Sequence, residues 1–185
     1  MKKYLTGLLL LILLSGCGRS VAQGPSPSET VEAFMSFVQS GEHDEANGLI
    51  LNEDEVSIFE IEEEYRIIFK NLSYSNLEEA VNGSDAYVSL TISNFDFSAM
   101  MDEIMAEAFY LIFTDITERE LSDKIEYMLI EKLTGDTAPK LNSDITVNLE
   151  MSDGRWKIIA DESLADALTG GLISFAEYAG QWMLH

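Results

Sequence analysis

The chain has 185 residues, of which 33 are acidic and 11 basic, giving a formal net charge of −22 near neutral pH. A surface that acidic repels nucleic-acid phosphates and anionic lipid head groups, so binding to nucleic acid and direct adsorption to an anionic bilayer are disfavoured. The length suits one domain with a substantial core. The single cysteine leaves no partner for an intrachain disulfide.

The chain opens with a positive segment, Met1-Lys2-Lys3, then an apolar run from Leu5 to Leu14 broken by Thr6 and Gly7, then the small residues Ser15 and Gly16. That order of zones is a secretory signal peptide. A helix that spans a bilayer needs roughly 20 apolar residues, and this run is about half as long, so it reads as an export signal rather than a spanning anchor.

Its last four residues, Leu14-Ser15-Gly16-Cys17, resemble the lipobox of bacterial lipoproteins: a Leu, two small residues and an obligatory Cys. The resemblance implies that Cys17 becomes the first mature residue and carries a diacylglyceryl group on its sulfur. A thiolate is the side-chain nucleophile best suited to accept a lipid near neutral pH. Two chains, at roughly 0.8 kcal/mol per buried CH₂, hold a protein to a membrane where one chain does not. The alternative is an ordinary signal peptide with an incidental cysteine beside the cut. Loss of Lys2 and Lys3 with residues 1–16 takes the net charge to −24. Residues 17–27 follow as the lipidated Cys and a tether, "GRSVAQGPSP", with a reach of up to roughly 30 Å. Residues 28–185 are expected to form a single domain.

The first helix is signalled by Ser26 as cap, Pro27 at the first helical position and Glu29 completing a capping box. Val31, Phe34, Met35 and Val38 recur at helical spacing, and Gly41 is the stop. A second helix is expected over residues 42–51, burying Ala46, Leu49 and Ile50. A third amphipathic segment, residues 56–70, sets Ile58, Ile61, Tyr65, Ile68 and Phe69 against glutamates.

The period then changes. "YVSLTISNF" alternates Val88, Leu90 and Ile92 with Ser89, Thr91 and Ser93, and Asn82-Gly83 before it signals a hairpin with "NLEEAV". Alternation returns at Leu141, Ile145, Val147 and Leu149, where "SDG" at 152–154 turns the chain into "RWKIIA". Between the two hairpins, residues 98–134 carry Ile104, Met105, Ala108 and Ile112, then Ile125, Met128, Leu129 and Leu133, in helical phase. One helix of that length would reach about 55 Å, so a break is expected near Thr114-Asp115, with Asp115 and Glu118 capping the restart. The whole is an α+β domain: an antiparallel curved sheet of about four strands, helices packed on one face, a helical insertion between two hairpins and a C-terminal helix.

"PSETVEAFMSFVQSGEHDEANGLI" and "DGRWKI" resemble the opening helices and closing strand of small exported lipoproteins of the nuclear-transport-factor-2-like, or cystatin-like, superfamily. The resemblance implies a sheet cupping a helix, often around a pocket, on a domain lipid-anchored to the extracytoplasmic side of a cell membrane, in a Gram-positive bacterium. The same fold hosts enzymes and non-enzymes. Enzymes of the polyketide cyclase or ketosteroid isomerase type use a pocket Asp with a Tyr or Asp donor. By that analogy Asp96, Asp144, Tyr74 and Tyr87 are the candidates here. The plainer reading makes Asp96 a helix cap and the tyrosines packing residues.

No residue set points to a cofactor. Both histidines, His43 and His185, read as solvated, and no metal-ligand spacing or glycine-rich phosphate loop is present. The glutamate runs lack the alternation that wraps calcium, and the expectation is no metal. In the tail, Leu164, Leu168, Leu172, Phe175, Ala179 and Trp182 fall at helical steps around Gly170-Gly171. They form either a helix folded back on the domain or an anchor in which Phe175, Tyr178, Trp182 and Met183 meet a partner. The leading functional reading is a membrane-anchored binding or scaffolding module for a protein or small ligand. The runner-up is an extracytoplasmic enzyme.

Overall fold

The computed structural model describes residues 24–51, 58, 59 and 63–183, and side chains as far as Tyr178. The signal segment and Cys17 lie outside the described residues.

Helix α1 (Pro27–Ser40) starts as its sequence dictates. Glu29 N–H donates to Ser26 Oγ at 3.2 Å while Ser26 N–H donates to Glu29 Oε2 at 2.7 Å, a reciprocal box. Gly41, at φ 78°, ends it in the left-handed region that glycine tolerates. Val31, Phe34, Met35 and Val38 are fully buried. Ser26 is thus part of the first helix's cap. In the same first turn of α1, Ser28 N–H donates to Glu79 Oε2 at 2.9 Å, which clamps the helix start to the sheet and holds the Glu79 carboxyl below its ordinary range.

Helix α2 (His43–Asn47) is shorter than the expected 42–51. Residues past Gly48 find better partners in the sheet: Ile158 N–H donates to Leu49 O and Leu51 N–H to Ile158 O, both at 2.8 Å. That parallel bridge takes the backbone groups a longer helix would use. Residues 52–57 and 60–62 lie outside the described residues. Among the described residues of the third segment, Ile58 and Phe59 are buried but not helical, and a 3₁₀ turn (Glu63–Arg66) leads into the short α3 (Ile67–Lys70).

The sheet is an antiparallel meander, β1 (Ser73–Asn82), β2 (Asp85–Phe95), β3 (Lys140–Ser152) and β4 (Arg155–Ile159), in that spatial order. Both hairpin signals act as read. Gly83 (φ 68°) takes the first central place of one two-residue turn; Asp153 (φ 49°) and Gly154 (φ 77°) fill the other. Val88, Leu90, Ile92, Val147, Leu149, Trp156 and Ile158 face α1 and form the main core. The opposite face is a polar ladder: Ser89 lies across from Thr146 at 3.2 Å, and the Thr91 hydroxyl donates to Asp144 at 2.7 Å.

Between β2 and β3 the chain makes a helical hairpin, α4 (Phe97–Leu111) and α5 (Glu118–Thr134). The break comes where expected, but Thr117 and Glu120 form the capping box, not Asp115 and Glu118. A hydroxyl facing a carboxylate supplies both bonds of the box, whereas Asp115 opposite Glu118 sets two anions together. Ile104, Ala108 and Leu133 are buried as expected. Met105 and Ile112 are not: they are 52% and 58% exposed.

After β4, α6 (Glu162–Leu168) packs on β2 and β3, and α7 (Leu172–Met183) packs on α4. Gly170, at φ 67°, lies against β2 so closely that a Cβ there would sit 2.2 Å from Phe95 O. Phe97 N–H donates to Gly170 O at 2.9 Å, and buried Asn94 donates to Leu168 O at 2.7 Å. A Gly170→Ala substitution should therefore cost several kcal/mol, because strain and overlap with rigid backbone combine. Gly41→Ala, in open space, should cost only about 1 to 2 kcal/mol. Equal losses in denaturant melts of the two variants would contradict the close contact.

Candidate functional site

Asp96 caps α4, its carboxylate accepting the Ala99 N–H at 2.9 Å. Asp144 lies on the polar face of the sheet, paired with Thr91 and within reach of the bulged Asn76, whose amide donates to the Thr91 hydroxyl at 3.3 Å. Tyr87 points to that same face, 49% exposed, and pairs in register with Asn148, not with Asp144. Tyr74 pairs with Ile92 on the opposite, core-facing side, half-buried against the main cluster. The four candidate residues are not brought together around a shared space. The Asp-with-Tyr arrangement that an isomerase or cyclase needs is not assembled.

A cleft of about 1190 Å³ opens at the end of the sheet that carries both hairpin turns. Leu49, Val81, Met151 and buried Trp156 give it an apolar lining, and Arg155 and Lys157 add cations. Lys157 Nζ donates to Gly48 O, which fixes the amine across the cleft from β4 to the turn after α2. Gly24 and Pro25 line the same opening. The cleft thus lies where the described chain begins. Its lining joins apolar side chains to two cations, with Ser84 and Asp153 at the same opening.

His43 corrects the sequence reading. It is half-buried: the imidazole stacks on Phe59 at 4.7 Å between centroids and 9° between planes, and meets the edge of Phe69 at 5.6 Å. Its Nε2 is buried with no hydrogen-bond partner among the described residues. The signal was available only in three dimensions, since Phe59 and Phe69 reach His43 from a distant segment. His185 lies outside the described residues. No group of three or more potential metal ligands occurs among the described residues.

In the tail, Phe175 packs edge-on against Phe97 at 5.3 Å and joins the cluster of Ile68, Phe95, Phe97, Met100 and Leu133. Of the four candidate anchors, Phe175 belongs to the fold and Tyr178 is 60% exposed. Trp182 and Met183 continue α7, and their side chains lie outside the described residues. Among the described residues no helix is long and apolar enough to cross a membrane.

No protein-family profile matches the chain, and no curated protein matches it. Among solved structures, the chain is similar to ycdA of Bacillus subtilis, a candidate lipoprotein, at 17% identity and a TM-score of 0.43. The match covers 80% of this chain and 47% of ycdA, so the chain spans about half the length of that protein.

The geometry around His43 sets a pH dependence. Burial lowers its pKa below the ordinary 6.5, with the nearby Arg66 acting in the same direction and Asp44 opposing. The unfolded chain therefore takes up the proton first as pH falls, and the native state loses stability below about 6.5 until the folded-state pKa is passed. Melting temperatures measured from pH 7.5 to 5 should fall for the native chain over that window. A His43→Phe variant should stay flat there, and identical slopes would refute the assignment.

Proposed function

We propose that this protein is a lipid-anchored, extracytoplasmic binding module of the nuclear-transport-factor-2-like lipoprotein type. The observation that carries the proposal is the order of zones ending in Leu14-Ser15-Gly16-Cys17, with Cys17 as the only thiol. Two features of the fold support it. The described chain begins at a surface beside the hairpin turns, seven residues past Cys17, so lipid and domain are separated by up to roughly 25 Å of chain. The element order, helices α1 to α3 before a four-stranded meander with α1 on its inner face, supports that reading.

Binding is favoured over catalysis because Asp96 is committed to a helix cap and Asp144 and Tyr74 lie on opposite sides of the sheet. Ligand or protein recognition needs only surface shape and charge, which the cleft near Trp156 and the helical hairpin provide. The acidic surface keeps the domain off anionic lipid, so the contact with membrane runs through Cys17 alone.

The test is fractionation. Wild-type protein should stay with membranes through alkaline and high-salt washes and incorporate labelled fatty acid. Cys17→Ser should abolish the label and either release the protein to the medium or leave an uncut precursor. A Cys17→Ser protein that remains membrane-bound and processed would overturn the lipid anchor.

A further inference from the structure

Helix α4 has more apolar surface than its neighbours cover. Phe97, Met100, Ile104 and Ala108 form one stripe, buried against α5, α7 and the segment around α3. A second stripe runs about 100° around the same helix: Met105, Phe109 and Ile112, extended at the tip by Phe113, with spacings of four, three and four residues that place neighbours on one face. These side chains are 52%, 56%, 58% and 75% exposed, and Phe109 contacts Phe113 at 5.2 Å. Tyr110, 75% exposed, adds a third ring 6.2 Å from Phe109. A helix apolar on two faces is normally buried on both. A contiguous exposed patch of this kind, on the order of several hundred Å², marks an interaction site.

We propose that this stripe is a docking surface for a cationic amphipathic helix presented by a partner protein. The charge around the patch selects that occupant. Helices α4 and α5 with their connection carry nine carboxylates and three cations, and Lys132 is already paired with Glu103 at 2.6 Å. Asp102 precedes Met105 by three residues on α4, and Asp115 and Glu118 follow Phe113 in the connection and at the start of α5. Lysines or arginines flanking an apolar helix face would meet those carboxylates as the face covers Phe109 and Phe113. A second copy of this chain would bring like charge to like charge. Anionic lipid is repelled in the same way.

Topology separates the stripe from the anchor. Gly24 lies 3.6 Å from Gly154 O, measured from the position of a Cβ, at the hairpin-turn end of the sheet. The helical hairpin leaves from the opposite end, where Phe95 pairs with Lys140, the eleven residues of β2 away and so roughly 35 Å distant. With Cys17 in the membrane, the helical hairpin springs from the far end of the sheet. This last step rests on the lipid-anchor reading; the patch and its charge do not.

The test uses the purified full chain and three fluorescent helical peptides of about 18 residues, roughly 27 Å long. One has a Leu face and a Lys face, one replaces Lys by Glu, and one keeps the Lys but replaces Leu by Ser. The Leu/Lys peptide should bind at least about tenfold tighter than either control, weaken with added salt, and lose about tenfold or more in the F109S/F113S variant. M105S/I112S should weaken binding in the same direction. Both variants alter exposed residues, so unchanged melting curves are expected and certify the fold. Equal binding of the Ser/Lys peptide, unchanged affinity in both variants, a patch-dependent dimer by sedimentation, or patch-dependent binding to phosphatidylcholine vesicles would overturn the proposal. Because the assay is independent of membrane fractionation, its failure and that of the Cys17 assignment are told apart.

Discussion

Residues 94–97, where β2 leaves the sheet, hold the molecule together at one crossing. Within four residues Asn94 bonds α6, Asp96 N–H donates to Pro139 O at 2.9 Å beside the start of β3, the Asp96 carboxylate caps α4, and Phe97 N–H reaches Gly170. Lys140 adds its amine over the Phe95 ring at 4.0 Å. The main core lies on one side of this crossing and the smaller cluster around Phe95, Met100 and Leu133 on the other. Backbone approach this close tolerates no side chain, which is why glycine stands at position 170. Geometry at this point sets the angle at which both α4 and α7 depart.

Electrostatics contribute little to that cohesion. A chain at −22 gains from self-separation, and the Lys132–Glu103 pair, partly exposed, is worth about 1 kcal/mol or less. Helix caps do more: Ser26, Asp96, Thr117 and Asp161 each satisfy an orphan backbone donor. Acidic residues thereby serve the fold locally at helix starts, while the remainder repel outward and keep copies of the chain apart.

Local signals were legible in the sequence and non-local ones were not. The capping box at Ser26, the turn at Asp153-Gly154 and the alternation in β2 depend on residues within a few positions of one another. Helix α2 fell short because Leu49 and Leu51 bond Ile158, over a hundred residues away. The second helical cap shifted by two residues because two registers of the box were nearly equivalent on paper. Met105 and Ile112 fall in helical phase with Ile104 and Ala108 yet stay exposed, since periodicity shows that a face is apolar without showing that anything covers it. Eleven apolar residues spread around the fifteen of α4 are the available hint. The packing of His43 is invisible in the sequence because its aromatic partners come from another segment, and Tyr74 and Asp144 fall on opposite faces by strand parity, which one register step decides. The proposed role of Cys17 rests on sequence alone.

Phe95 and Lys140 are cross-strand partners, so everything from Asp96 to Pro139 departs from and returns to a single rung of the ladder. An insertion of that form is modular: its length or surface can change without altering the register of β2 against β3, provided Phe97, Met100 and Leu133 remain to close the small core beneath it. The sheet and α1 can then be kept constant as a chassis while the helical hairpin is exchanged. Recognition would diversify in the hairpin at little cost to the fold.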